Sequence, residues 1–205
     1  GSYYGAKDYS QSYKLFSELT NIDYRIEASG FYCGDSAERI EKYTDSLVCY
    51  DLVPASRYLI EARTRMADIY AQQSMVKQGA ASLHRAQSLV DFNQRQHLLK
   101  LEVDYLIKHK EFELAKSRLD NAILLEPNNE YIYFLQLSLA DNTLDSKNFL
   151  NTAIKLQQQA PTLTLQKSVT FSAVELLNAK QRHTNSLQIL NLALKQHPQD
   201  TDLLY

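Results

Sequence analysis

The sequence predicts an all-α fold made of repeated helical hairpins, on three observations. Apolar residues recur at helical spacing through most of the 205 residues. Only five Gly and four Pro interrupt them, too few for a sheet protein rich in tight turns. A spacing of apolar and small residues found between His97 and Pro127 returns elsewhere in the chain.

In that central stretch Leu99, Val103 and Leu106 share one helix face. A polar turn at Lys108-His109-Lys110-Glu111 follows, and then Phe112, Ala115, Leu119 and Ala122 share a second face. The small Ala115 and Ala122 let two backbones approach closely, and Pro127 stops the second helix. The unit resembles a tetratricopeptide repeat, a helix-turn-helix of about 34 residues. The resemblance implies a right-handed superhelix, an α-solenoid, of about six hairpins forming one domain over 1–205. It also implies that first helices line an inner concave surface while second helices form an outer wall.

Taken in order, the units fall at about 3–21, 22–54, 56–91, 93–127, 129–159 and 162–198. The first carries Tyr3, Tyr9, Ser12, Phe16, Leu19 and Tyr24, with only the last turn of its first helix. The third carries Ala67, Tyr70, Val76, Gly79, Leu83 and Ala86, with Asp91 where proline would stand. In the fifth, Tyr133, Leu137 and Ala140 face Ser146, Leu150 and Ala153 across a turn about three residues shorter than its counterparts. The sixth repeats the pattern through Val174, Leu177, His183, Ser186, Leu190, Ala193 and Pro198, with Pro161 in the opening turn of a long first helix. Residues 200–205 read as the start of a further, truncated unit, whose exposed Leu203, Leu204 and Tyr205 suit a missing continuation or end-to-end self-association.

The second unit fits Ala28, Phe31, Ala37, Ile40, Thr44 and Leu47, and a register one residue away (Gly30, Tyr43, Ser46) also fits. Its two cysteines test it. A helix over Ser36 to Leu47, capped by Asp35, would hold Cys33 and Cys49 about 24 Å apart. A disulfide needs Cα atoms within about 7 Å. On that helix the thiols are unpaired and favour a reducing, cytoplasmic setting; a bridge would argue for periplasm, cell envelope or secretion.

Composition narrows the function classes. A formal net charge of −2 offers no basic footprint for nucleic acid. No apolar run approaches the ~18 residues of a membrane span. The five histidines, at 84, 97, 109, 183 and 197, form no metal-ligand spacing, and His183 and His197 sit at packing and helix-ending positions. No nucleophile elbow or phosphate loop is present, and carboxylates pair with cations at helical spacing, as in Glu38 with Lys42 and Glu113 with Lys116. No catalytic residue, cofactor or metal site is predicted.

On the resemblance, partner binding falls to first-helix residues that packing does not consume. These are Glu61, Arg65 and Asp68, then His97, Lys100 and Asp104, then Tyr131, Phe134 and Ser138, then Phe171 and Glu175. Charges of both signs give way to aromatic side chains toward the C-terminus, where Phe134 and Phe171 fit either a recognition hot spot or packing between hairpins. The clamp by which some of these repeats hold a C-terminal carboxylate is not expected, since the resemblance places Thr64, Asp68, Leu101, Asp104 and Phe134 at its positions. The expected function is a non-enzymatic adaptor or assembly scaffold holding a protein or peptide segment in the groove. A regulatory or sensory domain of a larger signalling protein is the alternative, and an envelope protein supporting polymer or pilus export a third.

Overall fold

The computed structural model describes residues 8–203, and over them the chain is all-helical, with eleven α-helices and no strand. They are α1 (Tyr9–Asn21), α2 (Ile26–Arg39), α3 (Tyr43–Asp51), α4 (Leu59–Gln72), α5 (Val76–Ala86) and α6 (Phe92–Lys108). Then come α7 (Phe112–Leu125), α8 (Glu130–Thr143), α9 (Ser146–Gln159), α10 (Leu163–Ala179) and α11 (His183–Gln196). Tyr3, Leu204 and Tyr205 lie outside the described residues. The chain divides into two compact units between His109 and Lys110.

Side-chain caps start several helices: Asp8, Asp91, Asn129, Asp145 and Thr162 each accept a hydrogen bond from an N–H of the first turn. Asp91 therefore opens α6 and does not take the place of a terminating proline. Pro161 precedes the Thr162 cap, outside the helix whose opening turn it was expected to occupy. Inside three hairpins one turn recurs. Its middle residue is left-handed at Glu41, Ser74 and Gln181, with φ of 62°, 61° and 57°, and Lys110, between α6 and α7, has a φ of 62°. In the three hairpins the next N–H reaches back five residues, Lys42 to Ala37, Met75 to Tyr70 and Arg182 to Leu177, closing the first helix as a Schellman turn. Between α8 and α9 only Leu144 and Asp145 intervene, so the expected shortening there is a single residue against three-residue turns elsewhere.

In the first unit, helices consecutive in the chain pack against one another, and α2 also touches α4. Its core joins Phe31, Tyr50, Val53, Ala62, Met66 and Ile69. Two close approaches shape it. A Cβ on Gly34 would lie 2.4 Å from Cδ1 of Tyr50, and one on Gly79 would lie 2.2 Å from the Tyr105 hydroxyl, so both rings sit on bare backbone. Arg63, buried at 5% exposure, pairs with Asp51 at the end of α3 and ties α3 to α4.

The second hairpin differs from the sequence expectation. The helix breaks at Ile40-Glu41-Lys42, so the continuous helix over Ser36 to Leu47 does not exist. Phe31 and Ala37 of one register and Gly30 and Ser46 of the other are all buried, and the Ser46 hydroxyl donates to the Gly34 carbonyl at 2.9 Å. Asp35, expected as a cap, lies buried within α2 and accepts from Nε of Arg39 at 2.9 Å. Folding α3 back on α2 brings Cys33 and Cys49 to a Cα separation of 5.7 Å, where they form a disulfide. The expectation of unpaired thiols is overturned because the turn replaces the helical span that kept them apart.

In the second unit each hairpin stacks on the next, with α8 against α10 and α9 against α11. Tyr133, Leu137, Phe149, Leu156, Val169, Leu177 and Ile189 fill its core. Matching positions of successive hairpins bond to each other: Glu130 with Ser168, Asp141 with Lys180, the Ser146 carbonyl with Asn185, and Gln157 with Gln196. Leu203, expected to be exposed, is buried in a short 3₁₀ turn at Thr201–Leu203. His183, expected at a packing position, is exposed beside Asn178, whereas His197 is half-buried against Gln166.

Candidate functional site

Helix α4 carries Glu61, Arg65 and Asp68 on one face while Ala62, Met66 and Ile69 fill the core from the other, so the three polar residues share one exposed strip. Arg65 reaches Glu38 on α2 at 3.4 Å and Glu61 at 3.8 Å. The second Glu38 oxygen accepts the Tyr50 hydroxyl at 2.9 Å. Burial first, and then the neighbouring Glu38 and Asp35 carboxylates, push the Tyr50 phenol well above its ordinary range. Glu38 is thereby fixed from two sides, and Arg65 is held on a rigid carboxylate.

Beside this pair opens a cavity of about 620 Å³, lined by Glu38, Arg65, Asp68, Ala71, Gln72, Lys108 and His109. Lys108 and His109 come from the end of α6 and the turn after it. The His109 ring lies 4.7 Å from that of Tyr105, and its buried Nε2 has no hydrogen-bond partner among the described residues. Burial, and then the Asp68 charge, push the Tyr105 phenol up to about 12. The cavity therefore presents a guanidinium, an ammonium and the Glu38 and Asp68 carboxylates to whatever enters it, with the His109 ring in its wall. Such an array orients a polar segment by hydrogen bonds and charge.

No family model matches the chain, and no curated protein matches its sequence.

Of the residues singled out from the sequence, Arg65 and Asp68 line this cavity and Glu61 borders it through Arg65. His97, Lys100 and Asp104 lie along α6, with His97 and Asp104 exposed and Lys100 ion-paired to Asp104. In the second unit Phe134 on α8 is 44% exposed and Glu175 on α10 is exposed, while Tyr131, Ser138 and Phe171 are half-buried. The cavity unites residues from α2, α4 and the end of α6.

Glu38, Lys108 and His109 were not anticipated as site residues. Helical spacing assigns Glu38 to Lys42, but Lys42 instead pairs with Asp45 at 3.7 Å, and Lys116, read as a partner of Glu113, pairs with Asp120 at 4.0 Å. The signal available for Lys108 and His109 was the polar turn itself, which reads equally as a connector. Among the described residues no group of three His, Cys, Asp or Glu could hold a metal ion, and no helix is long and apolar enough to cross a membrane.

Proposed function

We propose that the chain is a non-enzymatic interaction module of the tetratricopeptide type, whose hairpins continue as a right-handed superhelix and hold a partner protein segment along their first helices. The Glu38–Arg65 pair, braced by Tyr50 beside an open polar cavity, is the observation that carries this reading. Support also comes from the stacking of α8 on α10 and α9 on α11, and from the recurrent left-handed turn. A pre-organised guanidinium suits a peptide that carries carboxylate side chains.

The test is capture of partners from the source cell by the wild type and by an Arg65→Glu/Lys100→Glu/Phe134→Ala variant of unchanged melting temperature. Selective loss of one protein from the variant supports the groove. An unchanged set of captured proteins counts against it.

A second reading rests on the disulfide. The buried Cys33–Cys49 bridge favours an oxidising compartment, and with it a scaffold of the periplasm or cell envelope over a cytoplasmic adaptor. Thiol labelling of the denatured protein, isolated from each cell fraction with free thiols blocked, separates the two readings. Full blocking by the first reagent would place the chain in a reducing compartment.

A further inference from the structure

The second unit has another surface, on the far side of α8 from Phe134 and Ser138. Gln136 lies two residues from each of them, hence about 200° around the helix, and points its amide to Asp120 of α7 at 2.7 Å. Above it a trough of about 320 Å³ opens between α7 and α9. Helices α9 and α11 pack together in the same layer, but α7 and α9 leave this gap.

Ile123, Leu124 and Leu156 form its apolar wall, and Leu124 and Leu125 are 79% and 82% exposed. Adjacent leucines so open to water mark a contact surface. The rim carries two cations, Lys116 and Lys155, against one carboxylate, Asp120. Asp120 is already held by the Gln136 amide and by Lys116 at 4.0 Å, whereas Lys155 has no ion-pair partner among the described residues. What is left for a ligand is an ammonium above a leucine-lined floor.

We infer that this trough docks an acidic amphipathic helix, one apolar side chain seated between Ile123 and Leu156 and a carboxylate meeting Lys155. The volume suits one or two large side chains, and the uncommitted positive charge selects an acidic flank over a basic one. This site shares no residue with the groove of the proposed function, so either can fail alone.

The probe is a synthetic amphipathic helix of Leu, Ala and Glu, roughly 18 residues or five turns long, with a counterpart carrying Lys for Glu. Fluorescence anisotropy with the full chain should show binding of the acidic peptide. Leu124→Asp and Lys155→Glu should each weaken it by about tenfold or more, while Arg65→Glu leaves it unchanged. Both changes fall on exposed side chains, so unchanged melting temperatures will show that the fold survives. Equal binding of the two peptides, no binding of the acidic one, or binding insensitive to both variants would overturn the proposal. So would a concentration-dependent dimer, seen by sedimentation, that Leu124→Asp abolishes, since a second copy would then cover the trough.

Discussion

The Tyr105 hydroxyl donates to the main-chain carbonyl of Ala67 at 3.0 Å, passing directly over Gly79. One side chain of α6 thus joins α4 across the start of α5, and it can do so only because residue 79 has no Cβ. Gly79→Ala should lower stability by about 1–3 kcal/mol through overpacking. Tyr105→Phe should cost about 1 kcal/mol for the lost hydrogen bond. With the hydroxyl gone the added methyl meets less, so the double variant should be more stable than the sum of the two losses. Urea unfolding of the four proteins measures this, and strict additivity would show that the hydroxyl and Gly79 do not interact.

The Cys33–Cys49 bridge closes a short loop around the turn at Ile40-Glu41-Lys42. Replacing both cysteines with serine should reduce stability by about 2–4 kcal/mol. Both sulfur-bearing residues are buried, so mild reductant on the native protein should act slowly until unfolding begins. Thermal melts with and without reductant check both statements.

Alkaline pH should unfold the first unit. The folded state holds the Tyr50 and Tyr105 phenols neutral above their ordinary pKa of about 10, Tyr50 by burial and then the Glu38 carboxylate, Tyr105 by burial and then Asp68. A raised folded pKa means that the folded state keeps protons the unfolded chain has released. The stability they contribute is therefore complete below about pH 10 and is lost as pH rises, for Tyr105 through about 12. Melting temperature against pH should bend downward from pH ~10, and Tyr105→Phe should make the bend shallower. A flat profile to pH ~12 would contradict the buried phenols.

Ser74 occupies a left-handed conformation, at φ 61°, in an exposed turn without the usual glycine. Ser74→Gly should stabilise the protein by about 0.5–1 kcal/mol, since the Cβ strain there exceeds the entropy that glycine adds. Calorimetry on the variant decides the sign. Phe134→Ala, by contrast, should shift stability by less than about 1 kcal/mol, because its ring is half in solvent.

The helices were legible because their apolar faces keep a 3.6-residue period, and the small Gly79 marked a close contact. The break at Glu41 was not. The amphipathic pattern runs unbroken from Ser36 to Leu47, and a left-handed glutamate leaves no glycine or proline signal. Without that turn the helical span keeps Cys33 and Cys49 apart, and the bridge stands in the sequence only as the alternative to unpaired thiols. Arg65 and Asp68 could be found by counting around one helix. Glu38 and His109 could not, since they reach the cavity from α2 and from the turn after α6, and only the packing of three helices brings them together.

The most direct test of the groove is site-specific photocrosslinking to captured partners from Gln72, which lines the cavity, and from Lys77, exposed on α5. The account predicts a discrete adduct from position 72 that is lost when Arg65→Glu is added, and none from position 77. Adducts from position 77 alone, or from 72 undiminished by Arg65→Glu, would contradict it.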